Sequence, residues 1–393
     1  MRETEALLRL MGLALNGRVP EPEELAAMDQ PAVLALARAH GVGSLAASAA
    51  IAVPGADEAW RRAYDGACYR QALMGVERES VCAGLAGLGV DYVPLKGIVV
   101  AGLYPDPATR EMADNDLLFR CPDAATRRAV RGLMEGLGYE VDCFERGNED
   151  VYLKPPVCNM ELHVGLFPEY TSRRAAEGFA DVWDRVVPAS GRGRGGDVRA
   201  GGREWQLLPT DQYVLVVAHM HKHFSQGGCG LRTLADLYVL DCLPGQYQDA
   251  IDHGRATREL ARMGAAGFES DMRSLAERLL SPGADVAAAL AALTGREAAD
   301  LRYLLESGAY GTERHFYANA TRRAGGGTEQ GRRARYLLSR LFPAPGLVLS
   351  QHAVIDRHRW LLPLFYPYRI LRGAVAKREK IASELRYILR PGD

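Results

Sequence analysis

The sequence predicts an α+β protein: a small mixed α/β core set between N-terminal and C-terminal helical regions. Three observations carry that reading. Apolar residues recur at three- and four-residue spacing near the start, in Leu7, Leu8, Leu10, Met11, Leu13 and Leu15, the period of a buried helix face. From residue 90 the pattern turns to short β-branched and aromatic runs punctuated by glycine, the mark of strands. From Thr210 the helical spacing returns.

Taken in order, residues 57–88 are dense in Ala and Leu and form a long helical pattern, broken only by Gly66, Gly75, Gly84 and Gly87. Residues 90–95 (VDYVPL) follow Gly89 and read as a strand. Residues 98–103 are a small-residue helical turn, and 116–119 (DLLF) a second strand. Residues 123–137 read as a helix, with Asp123 at its N-terminus and Gly138 just past its end. YEVDCF, DVYLK and VCNMELHVGLF then alternate between turn residues, which predicts an antiparallel meander. Residues 189–203 are Gly/Arg-rich and read as a mobile surface loop; 322–335 read as a linker. Helical spacing runs through 210–243 towards Ala299. The expected organisation is an N-terminal helical region over 1–85, an α/β core over 86–188, a helical companion domain over 204–320 and a basic, aromatic segment over 335–393.

Composition narrows the function classes. The 393 residues are 48% hydrophobic and 25% charged, the proportions of an ordinary globular protein. Lys plus Arg number 48 against 49 Asp plus Glu, which excludes a generally basic nucleic-acid binder but not a local basic patch. The seven cysteines are scattered and form no CxxC pair, so reduced thiols are expected rather than a disulfide framework or a structural zinc site. The first helix carries two early glutamates and does not read as a signal peptide. The blandest apolar run, 41–56, is shorter than the roughly 18 residues a spanning helix needs. No transmembrane segment and a cytoplasmic location are expected.

The chemistry concentrates between Pro94 and Glu161. Asp114 and Asp116 stand two apart at the start of a strand, a spacing that points both carboxylates to one face. Like charges held that close repel unless a cation lies between them. Glu161, on a later strand, would supply a third carboxylate from a neighbouring rung. Three acids on adjacent strands suit two-metal phosphoryl or nucleotidyl transfer, in which Mg²⁺ or Mn²⁺ ions about 3.5–4 Å apart clamp the attacking and leaving oxygens. Lys96 and Gly97 lie where the first strand turns into a helix. Gly97 would admit a phosphate close to the backbone, and Lys96 would add a point charge on a triphosphate.

The run LKGIVVAGLYPDPATREMADNDLLF, then MELHVGLF, then a helix with HMHKHF, resembles the bacterial uncharacterised nucleotidyltransferase family of the DNA polymerase β-like nucleotidyltransferase superfamily. The resemblance spans roughly residues 60–372 and is strongest over 90–165. It implies a small mixed β-sheet flanked by helices, with a helical companion domain. It also implies transfer of a nucleoside monophosphate from an NTP, ATP being the expected donor, with Mg²⁺. Its metal-holding acids map onto Asp114, Asp116 and Glu161. The chain departs from the superfamily in carrying Lys96-Gly97 where a Gly-Ser or Gly-Gly pair is usual, and Glu161 where the third acid is often Asp. The acceptor is left open: a protein side chain, a small metabolite, a glycan precursor or an RNA end.

Each residue also has a plainer reading. The DxD pair alone could be a surface feature, and Lys96 a solvated strand-end lysine. Arg110 either contacts a phosphate or the departing pyrophosphate, or pairs with Asp114 or Asp116. His163 either orients Glu161, contacts substrate or is structural; Tyr104 reads as packing. His219 and His223 are i and i+4 on one helix face, with Arg232 and Asp236 a helical pattern later. They read as a polar network facing the nucleotide cleft, as structural packing, or as a metal-hydrolase site of His219, His223 and Asp236, although Met220 stands where an HExxH motif needs Glu. A non-catalytic nucleotide-binding module is the other alternative. Finally, the basic and aromatic stretch 356–390 could meet an anionic acceptor, an RNA backbone or a membrane surface, or its aromatics could pack inward beneath solvated arginines.

Overall fold

The computed structural model describes residues 2–156, 158–168, 172–189, 202–243, 245–325 and 327–376, together with 378, 382 and 384. The chain is a mixed α+β protein whose contacts divide it into two units. One holds residues 1–221 and 229–309; the other holds 222–228 and 310–393.

In the first unit, α1 (Arg2–Leu15), α2 (Pro22–Ala26), α3 (Gln30–Ala39), α4 (Gly43–Ala50) and α5 (Glu58–Gly87) form the N-terminal helices. The leucines of α1 are buried, as their spacing predicts. Asp57 starts the long α5 by accepting a hydrogen bond from the Ala59 amide, which satisfies a donor that has no partner within the helix. The core follows as β1 (Tyr92–Pro94), α6 (Lys96–Ala101), β2 (Asn115–Phe119), α7 (Ala124–Gly136), β3 (Glu140–Cys143), β4 (Glu149–Lys154) and β5 (Cys158–His163). Asp123 caps α7 through the Thr126 amide.

The five strands form one sheet in the order β1-β2-β5-β4-β3. The β3-β4-β5 meander is antiparallel as expected, and β1 runs antiparallel to β2. The β2–β5 pair is parallel, with Asp116 directly opposite Glu161 and Leu118 opposite His163. Strand alternation then sorts the side chains. Leu117 and Phe119 of β2, with Cys158, Met160 and Leu162 of β5, pack against α5 and α7 in one cluster that includes Val81, Leu85, Val130 and Met134. Asp116, Glu161 and His163 fall on the opposite face. Each buried leucine or phenylalanine of that cluster is worth roughly 1.5–3 kcal/mol of transfer free energy, so the register that places the acids opposite is firmly held.

Next come α8 (Arg173–Gly178) and a small hairpin of β6 (Val186–Pro188) and β7 (Trp205–Leu207), an element the sequence reading lacks. The expected Gly/Arg loop lies between these strands, and residues 190–201 are outside the described set. The Tyr92 amide donates to the Arg203 carbonyl, tying β7 to β1. Helices α9 (Pro209–Ser225), α10 (Arg232–Leu237), α11 (Gln246–Asp249), α12 (His253–Met263), α13 (Ala266–Leu280), α14 (Val286–Ala291) and α15 (Gly295–Ser307) complete the helical content of this part of the chain. The helical spacing expected over 210–243 resolves into α9 and α10, with a turn between them. Gly228 has φ +96°, a left-handed turn that glycine adopts without steric cost. A π-helical turn over Tyr238–Cys242 follows α10.

The second unit contains α16 (Glu313–Arg323), α17 (Glu329–Leu341), α18 (Pro345–Gln351), α19 (Ala353–Arg357) and α20 (Leu362–Ala376). Here the structure corrects the expected linker over 322–335. α17 begins at Glu329, capped by Thr328 through the Gly331 amide. Buried Tyr317 and Tyr336 centre a small apolar cluster. Among the described residues no helix is long and apolar enough to cross a membrane.

Candidate functional site

The acid face of the sheet starts at the β1–α6 turn. The Leu95 amide donates to the Asp116 carbonyl, holding the turn against β2. Lys96 then takes a left-handed conformation, φ +45°, which costs a non-glycine residue about 1–3 kcal/mol. Its ammonium is buried and donates to Asp116 Oδ1 at 2.6 Å. Lys96 is therefore no solvated strand-end lysine. His163 Nε2 lies 2.7 Å from the same oxygen. Because an ionised carboxylate can only accept, Nε2 is the donor of this pair. The His163 Nδ1 is buried without a hydrogen bond; Glu149 Oε2 stands 3.4 Å from it, poorly aligned. His163 Nε2 is 3.8 Å from Glu161 Oε2.

The electrostatics are those of an acid cluster short of positive charge. Burial works to raise the Asp116 carboxyl, but the Lys96 ammonium and the His163 hydrogen bond outweigh it and hold Asp116 ionised, below the usual carboxylate range. Burial raises Asp114, and the neighbouring Asp116 charge adds to it. Burial, then Asp116 and Asp114, push Glu161 up to about 7. Lys96 cannot neutralise three acids. Asp116, Glu161 and His163 each offer a ligand atom within 4.8 Å of the others, a group among the described residues that could hold a metal ion. The Asp116 and Glu161 carboxylates are hard oxygen donors of the kind a divalent cation such as Mg²⁺ takes, and these two fit one; His163 offers nitrogen.

A second network stands beside the first. Arg110 Nε and Nη2 donate to the two Asp236 oxygens at 2.8 Å each, and the Tyr104 hydroxyl donates to Asp236 Oδ1 at 2.8 Å. The partner of Arg110 is thus Asp236, rather than Asp114 or Asp116. Tyr104 contributes a hydrogen bond as well as packing. Gly97 has a structural reason of its own: a Cβ there would stand 2.7 Å from Arg110 Nη1. Arg232 Nη1 donates to the Glu111 carbonyl at 2.9 Å, and Glu111 in turn accepts from the Ser44 amide and hydroxyl. Of the expected companion residues, Arg232 and Asp236 lie in the first unit, bonded as described. His219 is half-buried on α9, while His223 is exposed and belongs to the second unit.

Sequence reasoning missed Glu149 and Glu111. Glu149 is the register partner of His163 on β4, a placement the meander pattern could have supplied. The Glu111 contacts span 67 residues or more, and no local pattern signals them.

A family model for uncharacterised nucleotidyltransferases matches residues 26–281, well over half of the chain. The chain belongs to that family. The matched span of this nucleotidyltransferase family member contains the whole acid face, Lys96, Arg110 and Asp236, and ends before α16 to α20. No curated protein and no solved structure matches the chain.

Proposed function

We propose that the protein transfers a nucleoside monophosphate from an NTP, with ATP as donor, to an acceptor, using Mg²⁺ or Mn²⁺ in the manner of DNA polymerase β-like nucleotidyltransferases. The observation that carries this is the pairing of Asp116 with Glu161 on parallel neighbouring strands, with Asp114 at the strand mouth. Asp114, Asp116 and Glu161 would hold the divalent ions, which when bound would supply charge stabilisation for the transferring phosphoryl group. An acceptor oxygen attacks the α-phosphorus, the bond from that phosphorus to the bridging oxygen breaks, and pyrophosphate leaves. Glu161, on the strand beside Asp116, takes the acceptor's proton. Lys96 holds Asp116 ionised and in place, and brings positive charge to the triphosphate side of the site. Arg110 has two nitrogens spent on Asp236, which leaves Nη1, beside Gly97, to meet the departing pyrophosphate.

The test is release of labelled pyrophosphate from each NTP with Mg²⁺ and candidate acceptors drawn from proteins, metabolites, glycan precursors and RNA ends. Transfer is expected from the wild type and not from Asp114→Ala with Asp116→Ala; equal transfer by both removes the assignment. One observation favours a second reading, a nucleotide-binding module without turnover: Lys96 and Arg110 are each already paired with an acid of the chain. That reading predicts metal-dependent thermal stabilisation by NTP, with no pyrophosphate released for any acceptor.

A further inference from the structure

The outward face of α20 is apolar. Trp360 in the turn before it, then Pro363, Leu364, Pro367, Tyr368 and Leu371, are all exposed. They follow the three- and four-residue spacing of a single helix face. The exposure is large: 71% for Trp360, 62% for Leu364, 56% for Tyr368 and 69% for Leu371. The inward face is separately committed. Phe365 packs on His352 with ring centroids 4.6 Å apart, the Tyr366 hydroxyl donates to the Pro343 carbonyl at 2.9 Å, and Arg369 Nη1 donates to the Arg340 carbonyl at 2.6 Å. The expectation that these aromatics pack inward therefore holds for Phe365 and Tyr366 and fails for Trp360 and Tyr368. A contiguous apolar stripe of this kind on a folded surface marks a binding face.

Charge selects the occupant. Residues 357–372 contain Arg357, Arg359, Arg369 and Arg372 and no Asp or Glu. Arg357 and Arg359 are exposed before the stripe, and Arg372 is exposed at its other end. Asp356 just upstream pairs with Arg359 at 3.2 Å and leaves the cluster net positive. A second copy of this face would bring arginines against arginines. An RNA backbone would satisfy the arginines and leave the leucines in water. A lipid surface with anionic headgroups satisfies both. Trp, Tyr and Leu enter the boundary between headgroups and acyl chains, while flanking arginines meet the phosphates.

We propose that α20 lies flat on an anionic membrane surface, docking the chain there through Trp360, Leu364, Tyr368 and Leu371, with Arg357, Arg359 and Arg372 at the headgroups. The proposal stands independently of the nucleotidyl-transfer reading.

The experiment is co-sedimentation of the full chain with vesicles of phosphatidylcholine alone, or of phosphatidylcholine with phosphatidylglycerol. Binding is expected to the mixed vesicles, to weaken as salt rises, and to be lost in Leu364→Asp with Leu371→Asp. Arg357→Gln with Arg359→Gln should lower the partition constant about thirtyfold. These positions are exposed, so unchanged thermal unfolding will show that the variants fold. Tryptophan emission should shift to the blue on binding, and Trp360→Phe should remove the shift. Four results would overturn the proposal: no binding to either vesicle at low salt, equal binding to both, a dimer in solution that Leu364→Asp dissociates, or capture by RNA but not by vesicles.

Discussion

The two faces of the sheet are built from alternate residues of the same strands, yet they store opposite kinds of free energy. On one, Leu117, Phe119, Met160 and Leu162 are fully buried against α5 and α7, and every contact adds stability. On the other, Asp116, Glu161 and His163 gather with Asp114 around one buried lysine. There, burial and mutual repulsion make Asp114 and Glu161 harder to ionise than free carboxyls. The lesson is that the apolar face holds in register a face that would not assemble by itself. A charged cluster short of a counterion is tolerated because the strands carrying it cannot slip without turning leucines to water.

This contrast can be broken or sharpened by substitution. The largest effect is expected from Asp116→Asn. It should lower nucleotidyl transfer by about a thousandfold or more. It should also destabilise the metal-free protein by about 3–5 kcal/mol, because Lys96 is left buried without its partner. Transfer assays and denaturant titration read the two losses, and an active, fully stable Asp116→Asn would dissolve the distinction between the faces. Leu162→Ala, one residue from Glu161 but on the other face, should cost about 2–5 kcal/mol of stability. Measured well below its lowered melting point, it should keep most of the metal affinity, which isothermal titration will show.

Glu161→Gln separates the faces by pH. Its carboxyl sits near pKa 7 in the fold against an ordinary value of 4.5. The mismatch therefore costs nothing below pH 4.5, grows as pH rises from there to 7, and is complete above 7. Without metal, the variant should match the wild type at pH 4 and melt higher at pH 8; added Mg²⁺ should raise the wild-type melting temperature more than the variant's. A variant less stable than the wild type at pH 8 would reverse the sign and reject the charge-excess account. The smallest effect is expected at Asp123, which caps α7 on the apolar side. Asp123→Ala should cost about 1 kcal/mol and leave transfer unchanged per folded molecule.

Much of this was legible in the sequence because it depends on short-range rules. The alternation in DLLF and MELH sorted acids from leucines. Asp57 and Asp123 announced the starts of α5 and α7, and the Asp114–Asp116 spacing placed two carboxylates on one face. What escaped was non-local or conformational. That β2 and β5 lie side by side was expected; their parallel sense was not, because it joins segments more than 40 residues apart, across α7, β3 and β4. Arg110 finds Asp236 across 126 residues, and nothing near Arg110 hints at it. The left-handed turn at Lys96 is hidden because lysine does not advertise positive φ as glycine does. The start of α17 was masked by the glycines before Thr328, which looked like the middle of a linker and are its upstream border.

The parallel pairing also has a consequence for synthesis. A chain synthesised only as far as residue 150 already contains Lys96, Asp114 and Asp116, but Glu161 and His163 have not been made. The last of the sheet's five strands to be made is the one that lies against Asp116, and pairing across so long a separation is slow. A nascent fragment thus carries an incomplete cluster, and the cluster is completed only when the newest strand inserts between two older ones.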